Sequence, residues 1–136
     1  MLFRSAEYTL PNVSQTVILT RMEGRTPVPE KEQIEALAAH SATMVIFLSA
    51  GQLEKLSARL MAGGYTPETP AAIVYKATWP DEKVIRTTVV GLAEAAAREG
   101  VTKTALITVG GFLGDDYDRS KLYDPSFTTG FREASR

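Results

Sequence analysis

At 136 residues the chain is of single-domain size, long enough to bury about two-thirds of the surface its unfolded form exposes. A net charge of -1 excludes a global basic field for nucleic acid or an anionic membrane, so anion recognition must come from local clusters. The absence of cysteine excludes disulfides, cysteine-based zinc sites and thiol catalysis, and a single histidine argues against a transition-metal site.

The first residues, Met1 to Tyr8, lack the apolar core of a signal peptide, and no run approaches the roughly 20 apolar residues of a membrane span. The expectation is a soluble cytoplasmic domain, with which the lack of cysteine agrees. Residues 15–20 are apolar and β-branched, predicting a buried strand. That strand runs into a turn carrying Arg21 and Arg25 around Gly24, stiffened at its exit by Pro27 and Pro29. Pro29 opens a predicted helix over residues 30–40, with Ile34, Leu37 and Ala38 at helical spacing.

Residues 43–48 form a continuous apolar run of strand length, which predicts burial on both faces. Ser49-Ala50-Gly51 breaks the run, and Leu53, Leu56 and Leu60 then mark an amphipathic helix stopped by Gly63-Gly64. A turn-rich connection leads to a third strand over 71–77. A second turn, Thr78-Trp79-Pro80-Asp81, then precedes a strand over 83–88 that pairs back as a hairpin. An alanine-rich helix over 91–99 ends at Gly100, and a last strand over 104–109 is broken by Gly110-Gly111. The order β-α-β-α-β-β-α-β predicts an α/β sandwich around a mixed sheet, helical crossovers giving parallel pairs and the hairpin an antiparallel one.

Few motifs carry chemistry. Gly110-Gly111-Phe112-Leu113-Gly114 fits neither a dinucleotide nor a Walker loop and reads as a strand-ending turn. Asp115, Asp116 and Asp118 lack the spacing of a calcium loop and read as a solvated acidic turn. His40, at a predicted helix end, suits the dipole there better than it suits catalysis. No serine has the elbow context of a hydrolase nucleophile. Arg21 and Arg25 remain open between plain surface arginines and a grip for carboxylates, which guanidinium forks pair bidentately. Two strand ends, around Leu48-Ser49-Ala50 and around Ala77, carry small residues; they read first as ordinary strand-to-turn transitions, although small side chains also let a flat ligand approach the main chain.

Four stretches, in order, carry a family resemblance: LPNVSQTVILTRMEGRTPVP at 10–29, MVIFLSAG at 44–51, PAAIVYKATWPDEK at 70–83 and SKLYDPSFTTGFR at 120–132. They resemble the precorrin-4 and cobalt-precorrin-4 C11-methyltransferases of the tetrapyrrole methylase family. The resemblance implies methyl transfer from S-adenosylmethionine to C-11 of a tetrapyrrole in cobalamin biosynthesis. It also implies two α/β domains with the cofactor between them, usually in a homodimer. It places cofactor contacts on Leu48 and Ala77, largely through main chain, with weaker support for Ala105. Resemblance and charge together make Arg21 and Arg25 candidates for the carboxylate groups of the macrocycle.

The family's first domain carries a Gly-x-Gly-Pro-Gly-Asp loop that is absent here. The resemblance therefore implies that residues 1–14 are a remnant of the interdomain segment and that 15–136 are the second domain, with the amino-terminal domain missing. Such a chain alone is expected to be inactive and to bind S-adenosylmethionine weakly at best. No catalytic acid or base carries over. The alternative is a non-catalytic tetrapyrrole-binding or assembly domain that works with a separate partner chain.

Overall fold

The structure, a computed structural model, describes residues 9–115. The stretch 120–132 and the acidic residues Asp116 and Asp118 lie outside them. Five strands, β1 (Val17–Arg21), β2 (Thr43–Phe47), β3 (Pro70–Tyr75), β4 (Lys83–Thr88) and β5 (Ala105–Val109), alternate with three helices, α1 (Ile34–Ala38), α2 (Leu53–Gly63) and α3 (Leu92–Arg98). The expected element order holds, and its boundaries shift for identifiable reasons. The helix expected over 30–40 divides at Gln33, whose extended backbone separates a 3-10 turn at Glu30–Glu32 from α1. Residues 30–32 bury nothing, so packing begins to hold the helix only at Ile34. The third strand stops at Tyr75, because Lys76 turns to φ 46° and cannot continue the ladder.

The sheet runs β1-β2-β5-β3-β4. Only the first crossover gives a hydrogen-bonded parallel pair, β1 with β2. β5 enters between β2 and β3, antiparallel to both, so the strands joined by α2 and by α3 are not neighbours. Pleating sends Met44, Ile46, Ala71, Ile73, Ile107 and Val109 to one face, where they join Ile34 and Ala38 of α1, Leu56 and Leu60 of α2, and Leu92 and Ala95 of α3 in one core. Among the described residues, the helices lie on this face alone. Burial of each large aliphatic side chain there contributes about 1.5–3 kcal/mol.

The other face is unevenly covered. Val45, Ala72 and Thr108, which pair across β2, β5 and β3, are buried, while Leu19 is 64% exposed and Phe47 45% exposed. The run at 43–48, expected to be buried throughout, is buried only as far as Ile46.

Polar ties hold the helix layer in register. Ser57 on α2 donates to the carbonyl of Val89 at 2.7 Å, and the buried phenol of Tyr65 donates to Ala42. Burial pushes the Tyr65 hydroxyl up to about 12, so it stays neutral and donating across the ordinary pH range. Where α1 crosses α2 the contact is closest at Gly63, since a Cβ there would lie 2.5 Å from both the Ala38 Cβ and the Glu35 carbonyl. Gly63→Ala gains about 1 kcal/mol of helix propensity, but overpacking against main chain costs about 1–3 kcal/mol. Net destabilisation, read from the midpoint of urea unfolding, is the expected outcome. A more stable variant would show that the two helices can part at no cost.

Candidate functional site

The register brings the carboxyl ends of β1, β2 and β3 to one end of the sheet, with the start of β5 between them. Arg21 pairs with Phe47, and Tyr75 pairs with Ala105. This end therefore gathers Arg21, Leu48, Ala77 and Ala105, with Arg25 in the turn that follows β1. Carboxyl ends of strands are where open α/β sheets hold ligands.

The turn after β1 is tied from three sides. The Arg21 guanidinium donates to the carbonyls of Met22, Thr26 and Pro27, each at 3.1 Å. Glu23 forms an ion pair with Arg59 on α2 and a longer one of 3.7 Å with Lys55, and Arg59 also reaches Glu35 of α1 at 3.3 Å. Arg59, by hydrogen bond and charge, holds the Glu23 carboxyl below its ordinary value. This anchor is therefore fully present above the ordinary carboxylate range and is lost as pH falls through the lowered value. The third tie is Ser49, fully buried, whose hydroxyl accepts from the Met22 amide at 3.1 Å and donates to the Phe47 carbonyl at 2.8 Å. One side chain thus fastens the loops after β1 and β2 together.

Leu48 sits beside Ser49 at φ 54° and is 86% exposed. A leucine in the left-handed region costs about 1–2 kcal/mol, and an isolated exposed side chain offsets none of it. The hairpin between β3 and β4 repeats the pattern. Ala77 is flanked by Lys76 at φ 46° and Thr78 at φ 77°. Lys76 lies over the rings of Tyr75 and Trp79, 5.1 and 5.5 Å from their centres, and pairs with Asp81. Asp81 holds the Lys76 ammonium protonated beyond the ordinary lysine range, and Lys76 in turn lowers the Asp81 carboxyl. The Thr78 amide donates to the Glu82 carboxylate, and the Lys76 amide donates to the Thr104 carbonyl at 2.9 Å.

Among the described residues, no turn hydrogen bond uses the amide or carbonyl of Leu48 or Ala77. Each strained turn thus offers an open main-chain donor and acceptor, which is what the edge of a flat heterocycle needs. Ala105 differs, since its main chain lies in the β5 ladder and it packs against the core. A groove of about 360 Å³ opens on the same end, walled by Leu19, Val28, Pro29 and Phe47 with Arg21 and Glu32.

Among the described residues no group of three or more acidic, histidine or cysteine side chains could hold a metal ion. Within the same span, no helix is long and apolar enough to cross a membrane. His40 is exposed beyond the end of α1.

Sequence reading found the two strand ends but missed what shapes them. Ser49 counted only as a small residue, although a serine just past a strand is able to tie two loops. Leucine, lysine and threonine give no signal for a left-handed backbone. Glu23 and Arg59 lie 36 residues apart and meet only in the fold.

Residues 5–93 match the family model of the tetrapyrrole (corrin/porphyrin) methylases, and the chain belongs to that family. It is 51% identical over 131 residues to a cobalt-precorrin-4 C(11)-methyltransferase of Methanocaldococcus jannaschii, a match covering 96% of this chain and 51% of that protein. Among solved structures it is similar to a cobalamin biosynthetic enzyme, cobalt precorrin-4 methyltransferase. There the TM-score is 0.77 and the identity 49%, covering 79% of this chain and 45% of that one. The same fold occurs, at 17% identity and a TM-score of 0.60, in a uroporphyrin-III C-methyl transferase from Thermus thermophilus complexed with S-adenosylhomocysteine, covering 80% of this chain and 46% of that one. The chain spans about half the length of the relatives it matches.

Because the Met22 amide is buried, Ser49→Ala leaves it without an acceptor and is expected to cost about 1–3 kcal/mol. Ser49→Thr, which keeps the hydroxyl, should recover part of the loss. Urea unfolding of the three proteins checks this, and an alanine variant as stable as the parent would remove Ser49 from its central role.

Proposed function

We propose that this chain forms one half of an S-adenosylmethionine-dependent methyltransferase that methylates C-11 of a precorrin-4-type tetrapyrrole, with or without cobalt. The observation that carries the reading is the conjunction of family membership with a strained sheet end whose main-chain groups stand open at Leu48 and Ala77. When bound, S-adenosylmethionine supplies an electrophilic methyl group on a sulfonium centre.

The chain's own residues then have definite tasks. Main-chain groups of Leu48 and Ala77 accept and donate hydrogen bonds along the adenine edge, while Ala105 contributes contact surface only. Leu19, Phe47, Leu48 and Trp79, all exposed in this chain, keep water from the reacting centre once the remaining part of the enzyme closes over them. Arg21 and Arg25 belong to the element that faces the carboxylates of the macrocycle. Positioning within a dry cleft supplies much of the rate, since bringing two bound reactants into line offsets about 7–11 kcal/mol of barrier. No side chain at this end is assigned as a proton donor or acceptor.

The partner of this half is the portion of the enzyme that this chain does not match in its relatives. The complete protein would be a homodimer working in the cytoplasm, without nucleic-acid or membrane partners. Exposure of Leu19, Phe47 and Leu48 supports a face that another part of the enzyme covers.

The test is complementation. The 136-residue chain alone should transfer no methyl group from S-adenosylmethionine to cobalt-precorrin-4. Fused to the half of the Methanocaldococcus jannaschii relative that it does not match, it should do so. Turnover by the chain alone contradicts the half-enzyme reading. Tetrapyrrole binding without transfer in the folded fusion would favour an assembly role instead.

A further inference from the structure

The two arginines of the turn after β1 look equivalent in the sequence but are not equivalent in the fold. Arg21 is half-buried, and its guanidinium is committed to three carbonyls of its own turn, those of Met22, Thr26 and Pro27. A guanidinium has five N–H donors in a fixed fork, and here that fork spans the turn. Arg25 stands at the tip beside Gly24, exposed, and among the described residues its side chain makes no hydrogen bond or ion pair. The loop beneath it is held by Arg21, by the Glu23–Arg59 pair and by the Met22 amide on Ser49.

We infer that the two residues divide the work: Arg21 is a positioning residue that shapes the turn, and Arg25 is the one that meets a ligand carboxylate. The inference rests on the tetrapyrrole reading for its ligand class and on the observed bonding for its division of roles. Arg21 spends three of its five N–H donors on the turn and is held in one orientation by them, whereas Arg25 has its whole fork to offer and pairs at the cost of ordering one side chain. The two positions should also differ in what replaces them. Lysine keeps the charge at 25, where charge is what counts, but lacks the planar fork required at 21.

Two measurements on the 136-residue chain separate the roles. The first is amide hydrogen exchange at Met22 and Gly24, whose amides are both bonded within or beneath the turn. Arg21→Ala and Arg21→Lys should speed exchange by about tenfold or more, and Arg25→Ala should leave it unchanged. The second is titration with uroporphyrin III, a tetrapyrrole with eight carboxylates, followed by quenching of Trp79, the single tryptophan of the chain.

Arg25→Ala should weaken binding about fivefold and Arg25→Lys should restore most of it. Arg21→Lys should fail to restore what Arg21→Ala loses. Equal exchange in the Arg21 and Arg25 alanine variants overturns the division of roles, as does unchanged exchange on removing Arg21. If neither the parent chain nor its fusion to the complementary half of the relative binds the porphyrin, the tetrapyrrole reading and the ligand role of Arg25 both fail, and exchange alone then decides whether Arg21 is the structural member. Porphyrin binding that is indifferent to Arg25 overturns the ligand role while leaving the tetrapyrrole reading intact.

Discussion

The hydroxyl of Ser49 is the point on which the sheet end depends. It lies where β1 and β2 finish side by side, and it is the acceptor for one loop and the donor to the other. Without it the Met22 amide, at the base of the arginine turn, would be buried and unpaired, which a folded protein rarely tolerates. Because the same hydroxyl is bonded to Phe47, the residue between them, Leu48, has little room to relax. Its left-handed backbone and its exposure follow from a chain that must leave β2 and still return Ser49 to the loop next door. The Glu23–Arg59–Glu35 network then fastens the other side of the turn to two helices.

A second constraint acts at the β3–β4 hairpin, where strain is held by charge and aromatic contact. Lys76 bonds across the turn to Asp81 and lies against Tyr75 and Trp79, and Glu82 takes the Thr78 amide. Both turns therefore fix an otherwise unfavourable backbone, and both leave main-chain groups unspent. Strain of this kind persists only where surrounding structure enforces it, and it clusters at ligand sites. The stabilising contacts lie beside Leu48 and Ala77, so the main-chain groups of these two residues stay open.

Much of the architecture could be read from the residues. Apolar β-branched runs bounded by turn residues located the strands, and helical spacing located the helices, as Leu53, Leu56 and Leu60 do. What spacing cannot supply is the order of strands. Insertion of β5 between β2 and β3 depends on non-local pairing such as Val45 with Thr108 and Ala72 with Thr108. The exposed end of β2 escaped notice for a related reason. Phe47 and Leu48 have the composition of a buried strand, and their exposure depends on what lies beyond them. At the site, small residues at the strand ends pointed to close main-chain approach. The split between Arg21 and Arg25 depends on side-chain direction, which no local pattern encodes.

The central claim is that one sheet end, organised by Ser49 and the Lys76 hairpin, is the cofactor face. Amide chemical-shift mapping with S-adenosylhomocysteine, on the chain fused to the complementary half of its relative, tests it most directly. The account predicts that the largest perturbations fall on Leu48, Ala50, Ala77 and Thr78. Perturbations centred instead on the opposite groove, lined by Ser41, Tyr65, Thr66, Thr69 and Gly111, would contradict it.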